Sequence, residues 1–312
     1  GAPSKPTGVL TRRRGLATLS AGVGAAVVAR LFREPTMPIV PTTSTQRLPT
    51  IYLPHGGGPC FFMEWTLGPR DTWDRMAAFL RTLPERYPGA RAVLVISAHW
   101  EESVVTVQTG ARPPLLFDYH GFPAHTYQLT WAAPGEPALA ARVRELLGRA
   151  DIPSREDAQR GFDHGVFVPL KVAFPEALLP TVQLSLDASL DARKHLELGR
   201  ALAPLRDEGV LIVGSGMSFH NMRVLMRPSA RLDSQVFDAW LRQTCEAAPP
   251  LREDRLAAWS AAPAARAAHP REEHLLPLMV TSGAAQAEAG RLIFSDEVLG
   301  ASVSAFEFGA TA

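Results

Sequence analysis

The chain has 312 residues, 46% of them hydrophobic and 20% charged, which excludes a disordered chain, a collagen and a coiled coil. Residues 1–33 carry six basic side chains and no acidic one, so the remainder holds 26 basic and 31 acidic residues. A mildly acidic remainder does not suit nucleic acid or anionic lipid, because both require clustered positive charge. We therefore expect no nucleic-acid partner.

The first 48 residues form a basic, targeting-like segment followed by a linker. Residues 11–16 include three consecutive arginines and precede a short apolar run at residues 17–28, an order that resembles a twin-arginine export signal. A mitochondrial-type presequence or a plain disordered tail fits the same residues, so export and a cytoplasmic location both stay open. The apolar run is too short to span a bilayer, and the prolines and threonines of residues 35–48 indicate a disordered linker.

Residues 49–312 are expected to form one catalytic domain, because α/β folds of this length often do. Short apolar and β-branched runs predict strands at residues 51–53, 93–97, 104–108, 181–186, 210–213, 292–295 and 303–308. Helical spacing predicts helices at residues 71–83, 190–205 and 233–245. This alternation predicts an α/β fold in which helices flank a central mixed sheet.

Several histidines stand where an α/β sheet presents its ligands. His55, His99 and His220 each follow a predicted strand, and ligands of open α/β sheets bind beyond the carboxyl ends of strands. His164 lies between glycines in a predicted loop, and His274 lies at the start of a predicted helix. Because imidazole nitrogen suits iron and zinc, the sequence predicts a metal site at the carboxyl ends of the strands.

Other interpretations of the same residues need features that the sequence lacks. The run from His55 to Pro59, H-G-G-G-P, could form the oxyanion hole of an esterase, but no G-x-S-x-G nucleophile motif accompanies it. Both glycine clusters, at residues 56–58 and 214–216, are interpreted as tight turns after strands. Asp163 is expected to orient the neighbouring His164, and His195 to lie on a solvated helix face.

Seven motifs occur in order between residues 50 and 309. They are L-P-H-G-G-G-P at 53–59, V-I-S-A-H-W at 95–100, F-D-Y-H-G-F-P at 117–123, G-F-D-H-G at 161–165, P-T-V-Q-L-S at 180–185, G-S-G followed by H-N at 214–221, and E-H-L-L-P-L at 273–278. Together they resemble the class III extradiol ring-cleavage dioxygenases, and within these the DOPA 4,5-dioxygenase branch, whose fold is that of the catalytic B subunit of protocatechuate 4,5-dioxygenase.

The resemblance implies a non-haem Fe(II) enzyme that uses O2 to open a catechol ring beside a hydroxyl-bearing carbon. By their places in the motifs, His55, His99 and His274 correspond to the metal ligands. Some branches use a carboxylate as the third ligand, so Glu273 is the rival of His274. Members of this fold can purify with zinc, and a metal-binding or zinc-dependent hydrolytic relative is the alternative function.

The resemblance also implies two catalytic imidazoles. His220 corresponds to an acid/base residue or a fourth residue of the metal site, and His164 to a second imidazole near the substrate and O2. The expected partners are a catecholic small molecule and O2, and the protein is expected to be a monomer or a homo-oligomer. One departure is that the H-G-S-P form common in the branch is H-G-G-G-P here, which removes a hydroxyl near the metal.

Overall fold

Eight strands form one mixed sheet within residues 46–309, the part of the chain that the computed structural model describes. They are β1 (Thr50–Pro54), β2 (Ala92–Glu102), β3 (Thr106–Gln108), β4 (Arg155–Asp157), β5 (Thr181–Asp187), β6 (Val210–Gly216), β7 (Gly290–Val298) and β8 (Ala301–Phe308). Their order is β4-β3-β5-β2-β6-β1-β8-β7. Strands β5, β2, β6 and β1 run parallel, whereas β3, β8 and β7 are each antiparallel to a neighbour.

Helices flank this sheet. They are α1 (Asp74–Leu80), α2 (Leu83–Arg86), α3 (Pro137–Arg149), α4 (His164–Ala173), α5 (Ala192–Leu202), α6 (Pro228–Cys245), α7 (Pro249–Ala257), α8 (Ala265–Ala268) and α9 (Leu276–Ala285). Short 3-10 helices occur at Cys60–Phe62, Ala124–Gln128, Ala203–Glu208 and Trp259–Ala261. The predicted α/β fold is confirmed. Residues 1–45, and with them most of the targeting-like segment, lie outside the described residues.

Two helices cover opposite faces of β6, as its consecutive residues show. A Cβ placed on Gly214 would lie 2.4 Å from the carbonyl oxygen of Pro277 in α9, so this face of the strand touches helix backbone. The side chain of Ser215, the next residue, donates to the carbonyl of Gly165 in α4. Because successive strand residues face opposite sides of a sheet, α9 and α4 enclose β6 between them. The strand is buried throughout as a result.

The structure corrects several predicted elements. The single helix predicted at residues 71–83 is replaced by two shorter helices, α1 and α2, and the helix predicted at 233–245 begins five residues earlier, at Pro228. Pro228 suits a first helical position, because the N–H that proline lacks has no partner there in any case. No helix within residues 46–309 is both long enough and apolar enough to cross a membrane.

His195 is not on a solvated helix face, as the sequence suggested, but fully buried in α5. Its Nδ1 lies 2.7 Å from the carbonyl oxygen of Asp191, and its Nε2 accepts the backbone N–H of Asp187 at 3.1 Å. A carbonyl oxygen can only accept, so Nδ1 carries the proton. Both ring nitrogens therefore fasten the start of α5 to the end of β5, and His195 has a structural role.

His269 is a second buried histidine outside the cluster described below. Its Nε2 donates to the carbonyl of Ser218 at 2.8 Å, which ties the residue after α8 to the loop after β6. Burial lowers the pKa of His269 to about 3. The ring is therefore neutral in the folded protein at every pH at which the protein would ordinarily be handled.

This burial predicts a pH-dependent loss of stability. Above pH 6.5, about the pKa of an unfolded histidine, neither state takes up a proton at His269. Below it the unfolded chain binds a proton that the folded chain rejects, so the free energy of unfolding falls by up to about 1.4 kcal/mol per pH unit. Urea unfolding between pH 7 and pH 5 should show a shallower fall for His269→Gln than for the wild type. Parallel pH profiles would contradict this assignment.

Candidate metal centre

His55 follows the end of β1 and is held against the neighbouring strand. Its backbone N–H donates to the carbonyl of Gly216 in β6 at 3.1 Å, and the residue is 2% exposed. The chain then turns through Gly56 and Gly58, whose φ angles of 87° and 52° favour glycine. The tight turn predicted for this glycine cluster is confirmed, and it leaves the His55 ring at the carboxyl edge of the sheet.

His99 lies within β2, at an irregularity in its pairing, and not after the strand as predicted. Between Ile96 and Glu101 of β2 the pairing with β5 is irregular, because β5 advances by only two residues over the same stretch. The hydroxyl of Ser97 accepts the backbone N–H of His99 at 3.1 Å and itself donates to Asp163 at 2.7 Å. This arrangement places Nε2 of His99 3.1 Å from Nε2 of His55.

His164 is the first residue of α4 and not part of a loop as predicted. Asp163 caps this helix, because its carboxylate accepts the backbone N–H of Gly165 at 3.0 Å. The carboxylate that orients the His164 ring is Asp118, which lies 2.7 Å from Nδ1 and 2.9 Å from the backbone nitrogen. Burial raises the pKa of Asp118, but the hydrogen bonds from His164 outweigh it and leave the pKa below its usual value.

His220 lies on the loop after β6 and is held by α8. Its backbone N–H donates to the carbonyl of Ala268 at 2.9 Å, and the amide of Asn221 donates to the carbonyl of Ala267 at 2.8 Å. The imidazole of His220 stacks on that of His274, with ring centroids 3.4 Å apart and an interplanar angle of 11°. Burial, and to a smaller extent the nearby His164, lowers the pKa of His220 to about 4.

His274 precedes α9 and is pressed against β6. The hydroxyl of Tyr52 in β1 donates to its carbonyl at 2.7 Å. A Cβ placed on Gly216 would lie 2.2 Å from the same carbonyl oxygen, so only glycine permits this approach. The glycines at 214 and 216 are therefore strand residues that admit the backbone of the α9 segment. The tight turn predicted for them is wrong.

The five histidines singled out from the sequence converge on one place. The ring centroids of His55, His99 and His274 form a nearly regular triangle, with sides of 4.9, 4.9 and 5.2 Å. His164 lies 3.9 Å from His99, centroid to centroid. By their ligand atoms the side chains fall into two groups that could each hold a metal ion, namely His55, His99 and His164, and His220, Glu273 and His274.

The donor atoms of the triangle fit a metal ion. Nε2 of His274 is buried without a hydrogen-bond partner among the described residues, and Nε2 of His55 has only Nε2 of His99 beside it. Burial, and then the neighbouring histidines, lowers the pKa of all three rings well below the usual value, so they are neutral at pH 7. Two nitrogens about 2.1 Å from one ion at a right angle are about 3.0 Å apart, close to the separation between His55 and His99.

Glu273 lies behind His274 and not in the triangle. Its Oε1 is 3.3 Å from Nδ1 of His274 and 3.8 Å from Nδ1 of His220. Burial raises the pKa of Glu273 above its usual value. A carboxylate beside Nδ1 keeps the proton on that nitrogen and leaves Nε2 free to coordinate, which is the common arrangement around metal-bound histidine.

A cavity of about 730 Å³ opens above the histidines, a volume that suits a substituted aromatic ring. All five histidines line it, together with the glycines of the turn after β1 and residues of the loop after β6. Trp100, adjacent to His99, lies outside this lining, and its indole donates to Glu102 at 2.9 Å. The cavity therefore has, on its wall, imidazoles that could hold a metal ion.

Comparison with known proteins identifies the family to which this chain is similar. The sequence profile described as the catalytic LigB subunit of aromatic ring-opening dioxygenase matches residues 49–307. The dioxygenase tasH of Hapsidospora irregularis is 35% identical over 281 residues, which cover 84% of this chain and 85% of that protein. A 4,5-DOPA dioxygenase extradiol of Escherichia coli is 36% identical over 245 residues, 77% of this chain and 86% of that one.

Two further similarities agree with these. A 4,5-DOPA dioxygenase extradiol of Beta vulgaris is 41% identical over 198 residues, which cover 62% of this chain and 73% of that protein. The crystal structure of an uncharacterised Escherichia coli K12 protein matches with a TM-score of 0.68 and 31% identity, over 84% of this chain and 100% of that one. The chain therefore belongs to the LigB family of aromatic ring-opening dioxygenases, in the branch of the extradiol 4,5-DOPA dioxygenases.

Proposed function

We propose that the protein is a non-haem Fe(II) extradiol dioxygenase that opens the ring of a catechol with O2. The observation that carries this proposal is the triangle formed by the neutral imidazoles of His55, His99 and His274. Nε2 of His274 has no hydrogen-bond partner among the described residues, and the triangle lies beneath a cavity large enough for a substituted catechol. In the reaction the ring bond between one hydroxyl-bearing carbon and its neighbour without a hydroxyl breaks, and both atoms of O2 enter the product. Catechol supplies all the electrons, so no further reductant is needed.

His55, His99 and His274 would hold the metal. Three neutral ligands on one face leave other positions of an ion open for substrate, as in facial three-ligand iron sites. Bound there, Fe(II) would supply the Lewis acidity that lowers the pKa of a catechol hydroxyl and the redox chemistry with O2. Zinc would fit the same nitrogens, so the metal found in a purified sample does not identify the working one.

His220 and His164 would move protons. His220 lines the cavity and stacks on His274, which places a free imidazole beside a catechol that occupies the cavity. His164 donates from Nδ1 to Asp118, so its Nε2 carries the lone pair that can accept a hydrogen bond or a proton. We assign the first deprotonation of the catechol to His220. His164 would accept the second catechol proton on Nε2, hold it near the reacting oxygens, and return it as the ring opens.

Asp118 is then a positioning residue, and its removal has a distinct expected result. In Asp118→Asn the amide can still accept from His164 but carries no charge to hold the ring and its tautomer. We expect kcat to fall by about 10- to 100-fold, with KM and iron content nearly unchanged. Steady-state kinetics with metal analysis of the same samples measures this. Equal losses in kcat and in bound iron would instead indicate a structural role.

Metal reconstitution tests the proposal itself. Metal-free protein would be loaded anaerobically with Fe(II), with Zn(II) or with neither, and then mixed with catechols and O2 in an oxygen electrode. We expect O2 uptake only in the Fe(II) sample, accompanied by a new visible absorbance from the conjugated ring-opened product. Equal O2 uptake with zinc would contradict the requirement for iron, and hydrolysis of aryl esters without O2 uptake would favour the hydrolytic alternative.

A further inference from the structure

The cavity above the histidines is strongly apolar. Apart from the five histidines, Thr66 and Tyr119, every residue that lines it within residues 46–309 is apolar, and none of them carries a charge. The phenol of Tyr119 already donates to the carbonyl of Thr126, so its proton is not free for a ligand. Besides the histidines, the polar side-chain groups left to contact a ligand are the hydroxyl of Thr66 and the unpartnered indole N–H of Trp73.

The unusual glycine run helps to make this wall. A Cβ placed on Gly57 would lie 3.2 Å from the ring of Trp73, and one on Gly58 would lie 2.6 Å from the ring of Phe122. The φ of 52° at Gly58 also disfavours any other residue. Gly57 and Gly58 thus let two aromatic rings pack against the backbone of this turn, which adds aromatic surface to the cavity.

The rim of the cavity is apolar as well. Leu67, Met222 and Met226 line the cavity and are 53%, 68% and 50% exposed. Single exposed apolar side chains are common on protein surfaces, but a group of them around one opening indicates a binding surface. Methionine side chains are flexible and polarisable, and adapt to apolar ligands of irregular shape. This rim would contact a substituent that extends out from the catechol ring.

The space beyond the rim is acidic. An adjoining cavity of about 470 Å³ shares three lining residues with the first, namely Leu67, Met226 and Leu299. It is lined by the carboxylates of Asp71, Asp74, Asp296 and Glu297. Arg75 in the lining pairs with Asp296 at 2.8 Å and Arg231 pairs with Glu297 at 3.2 Å, which leaves Asp71 and Asp74 without an ion pair among the described residues. A negatively charged substituent that reached this far would be repelled.

The basic residues next to the motifs do not offset this charge. Arg160 pairs with Asp163 at 3.0 Å, and Arg271 pairs with Glu101. Neither these two nor Arg223 is among the residues that line the cavity. A substrate carboxylate inside this apolar lining would therefore lose its water without gaining a cation, which is unfavourable.

We propose that the pocket selects catechols with a bulky, uncharged, apolar substituent and rejects those whose substituent ends in a carboxylate. The proposal rests on the proposed function for the ring-opening step, but the selectivity belongs to the cavity. It joins three features: the apolar lining, the exposed methionine and leucine rim, and the acidic space beyond.

Binding measurements test this selectivity apart from turnover. Trp65 and Trp73 line the cavity, so quenching of tryptophan fluorescence reports its occupancy. Anaerobic Fe(II)-loaded protein would be titrated with 4-butylcatechol and with the analogue that ends in a carboxylate. We expect at least about tenfold tighter binding of the uncharged compound, since an unpaired carboxylate costs more than 1.4 kcal/mol. Equal affinities, or tighter binding of the carboxylate, would overturn the proposal.

A charge placed on the rim gives a gain that misfolding cannot mimic. Met222→Lys puts a cation at an exposed rim position, and Met222→Gln is its uncharged control of similar length. We expect the lysine variant to bind the carboxylate analogue up to about fivefold more tightly than the wild type, and the glutamine variant to bind it no more tightly than the wild type does. An unchanged preference in the lysine variant would show that the substituent does not reach this rim, and would contradict the proposal.

Turnover of the same two compounds separates this proposal from the proposed function. Ring opening of both with equal kcat/KM would overturn the selectivity and leave the dioxygenase function intact. Selective binding of 4-butylcatechol without O2 uptake would overturn the dioxygenase function and leave the cavity's selectivity standing. Selective binding followed by selective ring opening supports both.

Discussion

Replacing His274 by alanine is expected to remove the metal from the protein. Loss of a residue that only supports a ligand costs about 10- to 100-fold in metal affinity, so loss of a ligand should cost at least about 100-fold. The unpartnered, buried Nε2 of His274 and its place in the triangle with His55 and His99 are the reasons for this expectation. Equilibrium dialysis against Fe(II) or Zn(II), followed by metal analysis, measures the loss.

Two matched variants identify the ligand set. Glu273→Gln removes the rival carboxylate and should cost about 10- to 100-fold in metal affinity, less than the loss of a ligand, because this side chain acts through Nδ1 of His274. His164→Ala should also retain the metal, because His164 is assigned to proton transfer. If Glu273→Gln lost its metal and His274→Ala kept it, the third ligand would be the carboxylate. Loss in His164→Ala would favour the group of His55, His99 and His164 instead.

Replacing His220 by glutamine is expected to abolish most of the activity while the metal stays bound. Glutamine preserves hydrogen bonding and approximate size but cannot accept a proton, so kcat should fall by about 100- to 10,000-fold, the usual contribution of general acid–base catalysis. Oxygen uptake at saturating catechol, with iron content measured on the same sample, tests this.

The iron content of this variant also decides between the two roles considered for His220. Bound iron equal to that of the wild type supports proton transfer. A parallel loss of iron and activity would make His220 a fourth metal-site residue. Activity within about threefold of the wild type would exclude both roles, because neither a general base nor a ligand is so dispensable.

The edge of the sheet that carries the site could be predicted, because its signals are local. Apolar runs mark the buried parallel strands, and His55 and His220 follow two of them. His274 precedes a helix whose residues are all buried, which also reads directly from an apolar run. These positions depend on periodicity and on the rule that ligands bind at carboxyl ends of strands, and neither requires knowledge of distant contacts.

The partners of the histidines could not be predicted in the same way. Asp118 orients His164 from 46 residues away, whereas the sequence drew attention to the adjacent Asp163, which instead caps α4. Nothing in a single sequence reports a contact between residues so far apart. The irregular pairing around His99 likewise depends on how β2 pairs with β5, which is a property of the assembled sheet.

Charged and mixed segments misled the prediction in two other places. His195 stands beside Lys194 and near Glu197, so it looked exposed, but hydrogen bonds to two backbone groups turn its ring inward. Strand β4 consists of Arg155–Asp157, three charged residues at the edge of the sheet, and so has no apolar signal. An edge strand pairs on one side only, and its exposed residues contact solvent and not the core. Such residues can be polar, so no apolar run marks the strand in the sequence.

The proposed reaction opens a catechol ring and puts both atoms of O2 into the product, so the mass of the product tests it most directly. Fe(II)-loaded protein would be given 4-butylcatechol and O2, and the consumed O2 and the product would be quantified together. We predict one O2 consumed per catechol, and a product whose mass equals that of the catechol plus O2, absent with His274→Ala. A product lighter than the catechol by two hydrogens, which is the quinone, or no O2 consumption by iron-loaded protein, would contradict the account.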